Sequence, residues 1–197
     1  DHSSDLEGKA FGVLRVRLHD GQDTEVATFR TDSAESDGRR PNAVEFTTDM
    51  KIDSCRRDFT VNAMFFDPVA RKLHDFHGGT RDARERQLRC VGDPLDRFTE
   101  DTLRVLRAAR FYATHKLQPI GMTSAVSTFM TRLGNMAVAA NTDVFTALPA
   151  ERVRSEMARV LGGDNVEAAL RWMQNTGVSL LVTSHSWVPS TVAQRLG

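Results

Sequence analysis

The sequence predicts an α+β fold, in which a β-rich first half is followed by an all-α second half. Two observations lead to this prediction. Up to about Val91, short stretches rich in alternating apolar residues lie between turns that contain Gly or Pro, which is typical of strands. After Pro94, apolar residues recur every three or four positions, which is typical of helices.

The first half is predicted to consist of short strands joined by turns. A β-hairpin is predicted by FGVLRVRL and TEVATFR, which lie on either side of the turn signal HDG. The polar stretch TDSAESDGRRPN predicts a loop, and MKIDSCRRDF predicts a short helical turn. Two more strands are predicted at AMFFD and KLHDF, followed by a short helix at GGTRDARERQ and a last strand at LRCVG.

The second half is predicted to contain four helices. The first lies in TEDTLRVLRAARFYATHK, where leucines and alanines share one face. Thr99 is its expected N-cap, with Glu100 and Asp101 in the first turn. The other three helices are predicted at residues 123–133, 150–161 and 166–176.

The composition limits the class of protein. Because 26 basic residues balance 26 acidic ones, any surface that binds nucleic acid must be local. Cys55 and Cys90 fit a reducing compartment, so we expect a cytoplasmic protein, or an organellar one if a targeting segment precedes Asp1. No apolar run reaches 18 residues, so no membrane-spanning helix is expected. Because the chain starts with Asp1 and not Met, we expect a piece of a longer protein.

The stretch SCRRDFTVNA is the first candidate for a functional site. Arg56 and Arg57 supply bidentate donors, Asp58 supplies an acceptor and Asn62 an amide. This set suits phosphates and sugar hydroxyls. A salt-bridged helix end with a capping Asn is the alternative.

The stretch EDTLRVLRAARF carries a row of charges at helical spacing. Asp101 and Arg104 are three residues apart and are therefore neighbours on one helical face, and Arg107 and Arg110 continue the row. An exposed ladder of weak ion pairs is the ordinary explanation. Three arginines at this spacing also form a concentrated cationic stripe that suits a triphosphate.

Other charged residues are weaker candidates. Glu25 shares a strand face with apolar residues, where a carboxylate must be solvated, paired or bound to a metal. Arg39 and Arg40 lie in the loop DGRRP and can close over phosphates. By themselves, a solvated strand edge and a solvated loop are the commoner arrangements.

The stretch DFHGGTRD predicts a sharp turn. Its two glycines allow the backbone to bend, and Asp75 and Asp82 are expected to brace the turn. His74 and His77 are three residues apart, but two histidines alone are too weak a signal for a metal site.

Four motifs together resemble a known family. RRDFTVNAM, DFHGGTRD, EDTLRVLRAARF and ERVRSEMARVL occur in the order seen in the tRNA nucleotidyltransferase and poly(A) polymerase family, and resemble most the bacterial/eukaryotic-type CCA-adding enzymes. The resemblance implies an incomplete DNA polymerase beta-like nucleotidyltransferase head with a mixed β-sheet and helices at residues 1–92. It further implies a helical neck with the nucleotide-recognition helix at 93–161 and the start of a helical body at 162–197.

The resemblance also implies a reaction and its residues. CMP and AMP are transferred from CTP and ATP to the 3′ end of tRNA without a template, with Mg²⁺ as the cofactor. Asp101 and Arg104 would read the base, and Glu25 would be an auxiliary carboxylate beside the metals. The Arg39–Arg40 loop would move between C and A addition. The ribose and phosphates would be bound by Arg57, Asp58, Asn62, Arg107 and Arg110.

Base reading by one Asp–Arg pair is chemically reasonable. C and A each present an exocyclic amine beside an unprotonated ring nitrogen, which a carboxylate and a guanidinium can recognise together. U and G present a carbonyl beside a ring N–H, so both protein groups would then lack their partners.

The chain departs from the family pattern in one important respect. The family's head begins with a glycine-rich phosphate-binding turn that carries Arg-Asp, and an Asp-x-Asp pair that holds the metals follows it. Neither is found in the ten residues that precede FGVLRVRL in this chain, and the chain has no Asp-x-Asp pair, so we expect it alone to be inactive. Two alternatives stay open, a bacterial poly(A) polymerase and a catalytically inactive nucleotide- or RNA-binding relative. The segment GKAFG favours the tRNA enzyme over the polymerase, which tends to have a GRRFR-like segment there.

Overall fold

Short paired strands begin the structure. A computed structural model of the chain describes residues 4–5, 12–32, 44–140 and 148–183. Three antiparallel strands form the first sheet in the order β1-β2-β3, and β4 pairs antiparallel with β5 in a second sheet. The strands are β1 (Ser4–Asp5), β2 (Val13–Arg17), β3 (Asp23–Ala27), β4 (Arg30–Asp32) and β5 (Val44–Phe46).

The prediction of one strand over TEVATFR is wrong, because the segment pairs first with β2 and then with β5. The amide of Thr28 donates to the carbonyl of Gly12 over 3.0 Å, at the end of the β2–β3 pairing. The carbonyl of Phe29 instead accepts from the amide of Thr47 over 2.9 Å, next to the β4–β5 pairing. The segment therefore joins two sheets.

The middle of the chain packs small elements against one another. Strands β6 and β7 form an antiparallel hairpin, and β8 pairs in parallel with β9. Of the predicted strand LRCVG only Leu88 lies in β8, while Cys90 forms a single bridge with Phe59. The elements are α1 (Met50–Cys55), a 3₁₀ turn (Thr60–Asn62), β6 (Phe65–Asp67), β7 (Lys72–His74), α2 (Gly79–Arg84), β8 (Gln87–Leu88) and β9 (Gln118–Pro119).

The predicted turn in DFHGGTRD is confirmed, with both carboxylates as braces. Asp75 accepts hydrogen bonds from the amides of His77, Gly79 and Thr80. Burial raises the pKa of Asp75, but these bonds outweigh it and lower that pKa from 3.8 to about 2. Asp82 is fully buried and accepts from the Thr60 hydroxyl over 2.8 Å.

Helices make up the rest of the described chain. The helices are α3 (Pro94–Glu100), α4 (Leu103–His115), α5 (Thr123–Ala140), α6 (Ala150–Leu161), α7 (Val166–Thr176) and α8 (Ser179–Thr183). The bounds predicted for α6 and α7 are confirmed, whereas α5 continues beyond residue 133. None of the helices in the described part of the chain is long and apolar enough to cross a membrane.

The prediction of Thr99 as an N-cap is wrong. Thr99 lies inside α3, where its hydroxyl donates to the carbonyl of Leu95 over 2.8 Å. Asp93 caps α3 instead, and Pro94 occupies the first helical position, where a missing N–H costs nothing. The segment predicted as one helix, residues 99–116, therefore contains the end of α3 and the whole of α4, with Asp101 and Thr102 between them.

One continuous core joins the two halves of the chain. Phe59, from the segment after α1, is fully buried and meets Phe111 of α4 edge-on, with 5.4 Å between the ring centroids. The same cluster of buried side chains includes Leu88 of β8 and extends to Leu181 of α8. The division of the chain at residues 92 and 161 stays a prediction.

Candidate functional site

A buried carboxylate organises the arginines at the end of α1. Asp53 is 0% exposed, and each of its oxygens binds a different guanidinium. Its Oδ1 accepts from Nε and Nη2 of Arg56 over 2.8 and 2.6 Å, and its Oδ2 accepts from Nε and Nη2 of Arg57 over 3.1 and 2.9 Å. The two arginines are therefore held side by side.

Asp58 links this segment to α4. One of its oxygens accepts from the Phe59 amide over 2.9 Å and from the Asn62 side chain over 3.3 Å. Its other oxygen accepts a hydrogen bond from Nε of Arg107 over 2.7 Å and lies 2.6 Å from Nη2 of the same guanidinium. Because Asp58 is only 7% exposed, this hydrogen-bonded ion pair fixes α4 against the turn that follows α1.

The arginines of α4 each face a carboxylate. Arg104 donates to Glu100 over 2.7 Å and also to the backbone carbonyls of Arg97 and Arg56. Arg110 lies 3.1 Å from a carboxylate oxygen of Glu156, which is itself buried. Burial lowers the pKa of Arg110, although Glu156 raises it. The arginine row predicted from the sequence is therefore present and paired, and part of it is buried.

Asp101 occupies the junction of α3 and α4 in an extended conformation. One of its oxygens accepts from the amide of Leu103 over 3.0 Å, at the start of α4. The other accepts from Arg152 of α6 over 3.3 Å. Asp101 and Arg104 make no side-chain bond to each other, so their carboxylate and guanidinium are both oriented by other groups.

Together these residues form an arginine–carboxylate cluster with an excess of two positive charges. Its members are Arg56, Arg57, Arg97, Arg104, Arg107, Arg110 and Arg152 with Asp53, Asp58, Glu100, Asp101 and Glu156. Ion pairs fix the directions of the guanidiniums, and the net positive charge favours an anion.

Several cluster members were not predicted from the sequence. Asp53 and Glu100 precede their arginine partners by three or four residues, a spacing that signals a helical ion pair. Glu156 gives a weaker signal. It lies within ERVRSEMARVL, but its partners Arg107 and Arg110 are more than 40 residues away, so only the packing of α6 on α4 identifies them.

The remaining predicted site residues lie apart from this cluster or outside the described residues. Glu25 lies on β3, its side chain 68% exposed and 3.9 Å from Arg15 on the paired strand β2. Arg39 and Arg40 lie outside the described residues. Among the residues that the structure describes, no three His, Cys, Asp or Glu side chains are grouped to hold a metal. The described residues therefore do not fit a magnesium site, and the role of Glu25 stays a prediction.

Comparisons with known proteins agree with these observations. The family description "Poly A polymerase head domain" matches residues 2–89. The chain is 39% identical over 169 residues to the CCA-adding enzyme of Bacillus pumilus, covering 86% of this chain and 39% of that protein. It is 36% identical to the Bacillus subtilis CCA-adding enzyme, again over 86% of this chain and 39% of that one.

A solved structure extends the similarity to the fold. The crystal structure of the Bacillus stearothermophilus CCA-adding enzyme in complex with CTP matches with a TM-score of 0.77 and 27% identity, covering 98% of this chain and 42% of that one. The chain thus spans about two fifths of the length of these relatives. The predicted α+β fold of the polymerase beta-like nucleotidyltransferase type is confirmed. The motifs, the fold and these similarities together establish that the chain belongs to the tRNA nucleotidyltransferase and poly(A) polymerase family.

Proposed function

We propose that this chain is the nucleotide-binding part of a CCA-adding tRNA nucleotidyltransferase. Such an enzyme transfers CMP and AMP from CTP and ATP to the 3′ end of tRNA without a template. The observation that carries the proposal is the Asp58–Arg107 pair, which joins the RRD segment to the arginine row of α4. The similarity to CCA-adding enzymes, one of them solved with CTP, supports the same function.

The phosphates of the nucleotide are proposed to bind Arg57, Arg107 and Arg110. Arg107 uses Nε and Nη2 for Asp58, while its Nη1 lies 3.8 Å from Glu156, too far for a hydrogen bond. In the part of the chain that the structure describes, no acceptor takes the Nη1 donors of Arg107, and the pair with Asp58 orients them. Asp58 and Asn62, which are bonded to each other, are proposed to face the ribose.

The base is proposed to be read by Asp101 and Arg104. Arg104 uses Nη1 and one hydrogen of Nη2 for the contacts described above, which leaves Nε–H and a second Nη2–H for a ring nitrogen. The Asp101 carboxylate accepts two hydrogen bonds of the roughly four that it has room for, and so can accept from an exocyclic amine.

The reaction itself is proposed for the whole protein and not for these 197 residues. The chain contains no Asp-x-Asp pair, and the described residues do not form a magnesium site. We therefore expect the chain to bind nucleotides without transferring them, and we assign no step of the transfer to its residues. A cytoplasmic location is part of the proposal, because the cysteines are free thiols.

A second candidate function is polyadenylation, which the match to a poly(A) polymerase head favours. One experiment separates the two. The protein, made from the longest reading frame that contains this chain, is incubated with tRNA transcripts that lack one, two or all three of the terminal C, C and A. Each nucleoside triphosphate is labelled in turn.

We expect incorporation of C and A only, ending once CCA is complete. A long tract of A would establish the polymerase instead. Nucleotide binding without any incorporation would indicate an inactive relative. The 197-residue chain is assayed in parallel, and efficient CMP incorporation by it would contradict the expectation that its residues do not suffice for transfer.

A further inference from the structure

Asp53 is not one of the residues proposed to contact the nucleotide, yet it is the most completely enclosed carboxylate of the arginine–carboxylate cluster. It is 0% exposed and accepts five hydrogen bonds, four from Arg56 and Arg57 and one of 3.1 Å from the amide of Arg30 in β4. A buried carboxylate requires such partners, because an unpaired charge in the interior is costly.

The carboxylate remains charged in this environment. Burial raises the pKa of Asp53, but the hydrogen bonds from Arg56, Arg30 and Arg57 outweigh it, and the net shift is downward. Near neutral pH, Asp53 therefore presents a full negative charge to both guanidiniums, and the bonds between them are the strong, charge-assisted kind.

These bonds restrict Arg57 to one orientation. One edge of its guanidinium lies on Asp53, its Nη1 donates to the carbonyl of Asn62 over 3.3 Å, and its face lies 4.8 Å from the ring centroid of Phe65. Three of its five N–H donors are used, and no acceptor among the described residues takes the other two. The side chain is still 35% exposed, so these two donors can reach a ligand.

We propose that Asp53 is a positioning residue, whose carboxylate holds the Arg57 guanidinium so that its two remaining donors face the phosphates of the nucleotide. The inference rests on the proposed nucleotide-binding function. Without the carboxylate, Arg57 has more rotamers available and must be ordered when the nucleotide binds, which lowers affinity. Asp53 acts through Arg57 and does not itself contact the nucleotide.

A double-mutant cycle tests this mechanism in the 197-residue chain. The dissociation constant of CTP is measured by calorimetry for wild type, Asp53→Asn, Arg57→Ala and the double variant. We expect Arg57→Ala to weaken binding by about tenfold or more, as for a lost bond to a charged group, and Asp53→Asn by about fivefold. In the Arg57→Ala background, Asp53→Asn should cause little further loss, because the group it positions is gone.

Two further measurements keep a structural effect apart from a positioning effect. Asp49→Asn is the matched control on the same helix, because Asp49 is an exposed N-cap and Asn caps equally well, so CTP affinity should not change. Thermal unfolding of each variant identifies any that fails to fold. The double variant removes one charge of each sign. Arg56 loses its Asp53 partner both in Asp53→Asn and in the double variant, so this loss cancels when the effects of Asp53→Asn with and without Arg57 are compared.

The outcomes separate the inference from the proposed function. If wild type binds neither CTP nor ATP, the proposed function fails and the inference fails with it. If wild type binds CTP but a folded Asp53→Asn variant binds equally well, only the inference is overturned. The inference is also overturned if Asp53→Asn lowers CTP affinity by the same factor in the presence and in the absence of Arg57. Asp53 would then act independently of Arg57.

Discussion

At the scale of single residues, buried carboxylates determine what the arginines can do. The sequence left open an exposed ladder of weak ion pairs, but Arg107 and Arg110 pair with Asp58 and Glu156, which are 7% and 6% exposed. Removing one partner of a buried pair typically costs about 3–5 kcal/mol, far more than an exposed pair contributes. The cluster is therefore rigid before any ligand binds, which reduces the entropy cost of binding.

Asp101 offers the most direct test of base recognition. Asp101→Ala removes the proposed acceptor for the exocyclic amine of C and A, so the ratio of affinities for CTP and ATP over UTP and GTP should fall by at least about tenfold. Competition binding with all four nucleotides measures this ratio. Loss of the hydrogen bond from the Leu103 amide, at the start of α4, should also cost about 1 kcal/mol of stability.

A neighbouring carboxylate provides the control for this experiment. Asp96 is exposed on α3 and its carboxylate makes no interaction in the cluster, so Asp96→Ala should leave both selectivity and affinity unchanged. If Asp101→Ala keeps the wild-type selectivity and loses only stability, the role of Asp101 is structural, through its bonds to Leu103 and Arg152, and base reading must lie elsewhere.

At the scale of elements, the break between α3 and α4 determines where the helix that carries Arg104, Arg107 and Arg110 begins. Helical sequence was predicted from Thr99 onward, but the backbone of Asp101 is extended, with φ −148° and ψ 103°, so α3 ends before it and α4 begins at Leu103. From α4, Arg107 reaches Asp58 in the segment after α1, and Arg110 reaches Glu156 of α6. The periodicity of the sequence cannot report this break, because both helices contribute apolar residues to one core.

The turn between α6 and α7 depends on one of its two glycines. A side chain at Gly163 would place its Cβ 2.6 Å from the backbone carbon of Ala113 in α4, a contact that only backbone movement can relieve. Gly163→Ala should therefore destabilise the protein by about 1–3 kcal/mol, measured by urea unfolding.

The adjacent glycine is the control for Gly163. A Cβ at Gly162 meets nothing closer than 3.4 Å, and its backbone is already helical, so Gly162→Ala should be neutral or slightly stabilising. Equal effects from the two substitutions would mean that the turn does not lie against α4 as closely as the structure places it.

At the scale of the whole molecule, one core connects the RRD segment to the helices. Phe59 lies outside the helices, yet it packs in the core with Phe111. Phe59→Ala should cost about 3–5 kcal/mol and lower the melting temperature of the helices, followed by circular dichroism at 222 nm, by roughly 6–20 °C.

An exposed phenylalanine provides the control for Phe59→Ala. Phe66 on β6 is 62% exposed, so Phe66→Ala should shift the helical melting temperature by no more than about 2 °C. If Phe59→Ala leaves the helical transition unchanged, the first half of the chain and the helices unfold independently, and the core is not a single cooperative unit.

The sequence by itself determined the elements and the residue types of the site. Hydrophobic periodicity is local, so it predicted α6 and α7 to the residue, and the motif order identified the family. The sequence analysis mispredicted Thr99 as an N-cap and missed the change of partner strand within TEVATFR. In both places several nearby residues compete for the same hydrogen bonds.

Only the tertiary structure decided how the charges are paired. Asp58 and Arg107 are 49 residues apart, and Arg110 and Glu156 are 46 apart, so no local spacing could have matched them. Burial then sets the strength of each pair, and burial is a property of the packed core rather than of the local sequence. The sequence thus supplied a row of arginines, and the packing of α1, α4 and α6 made it a preorganised cationic site.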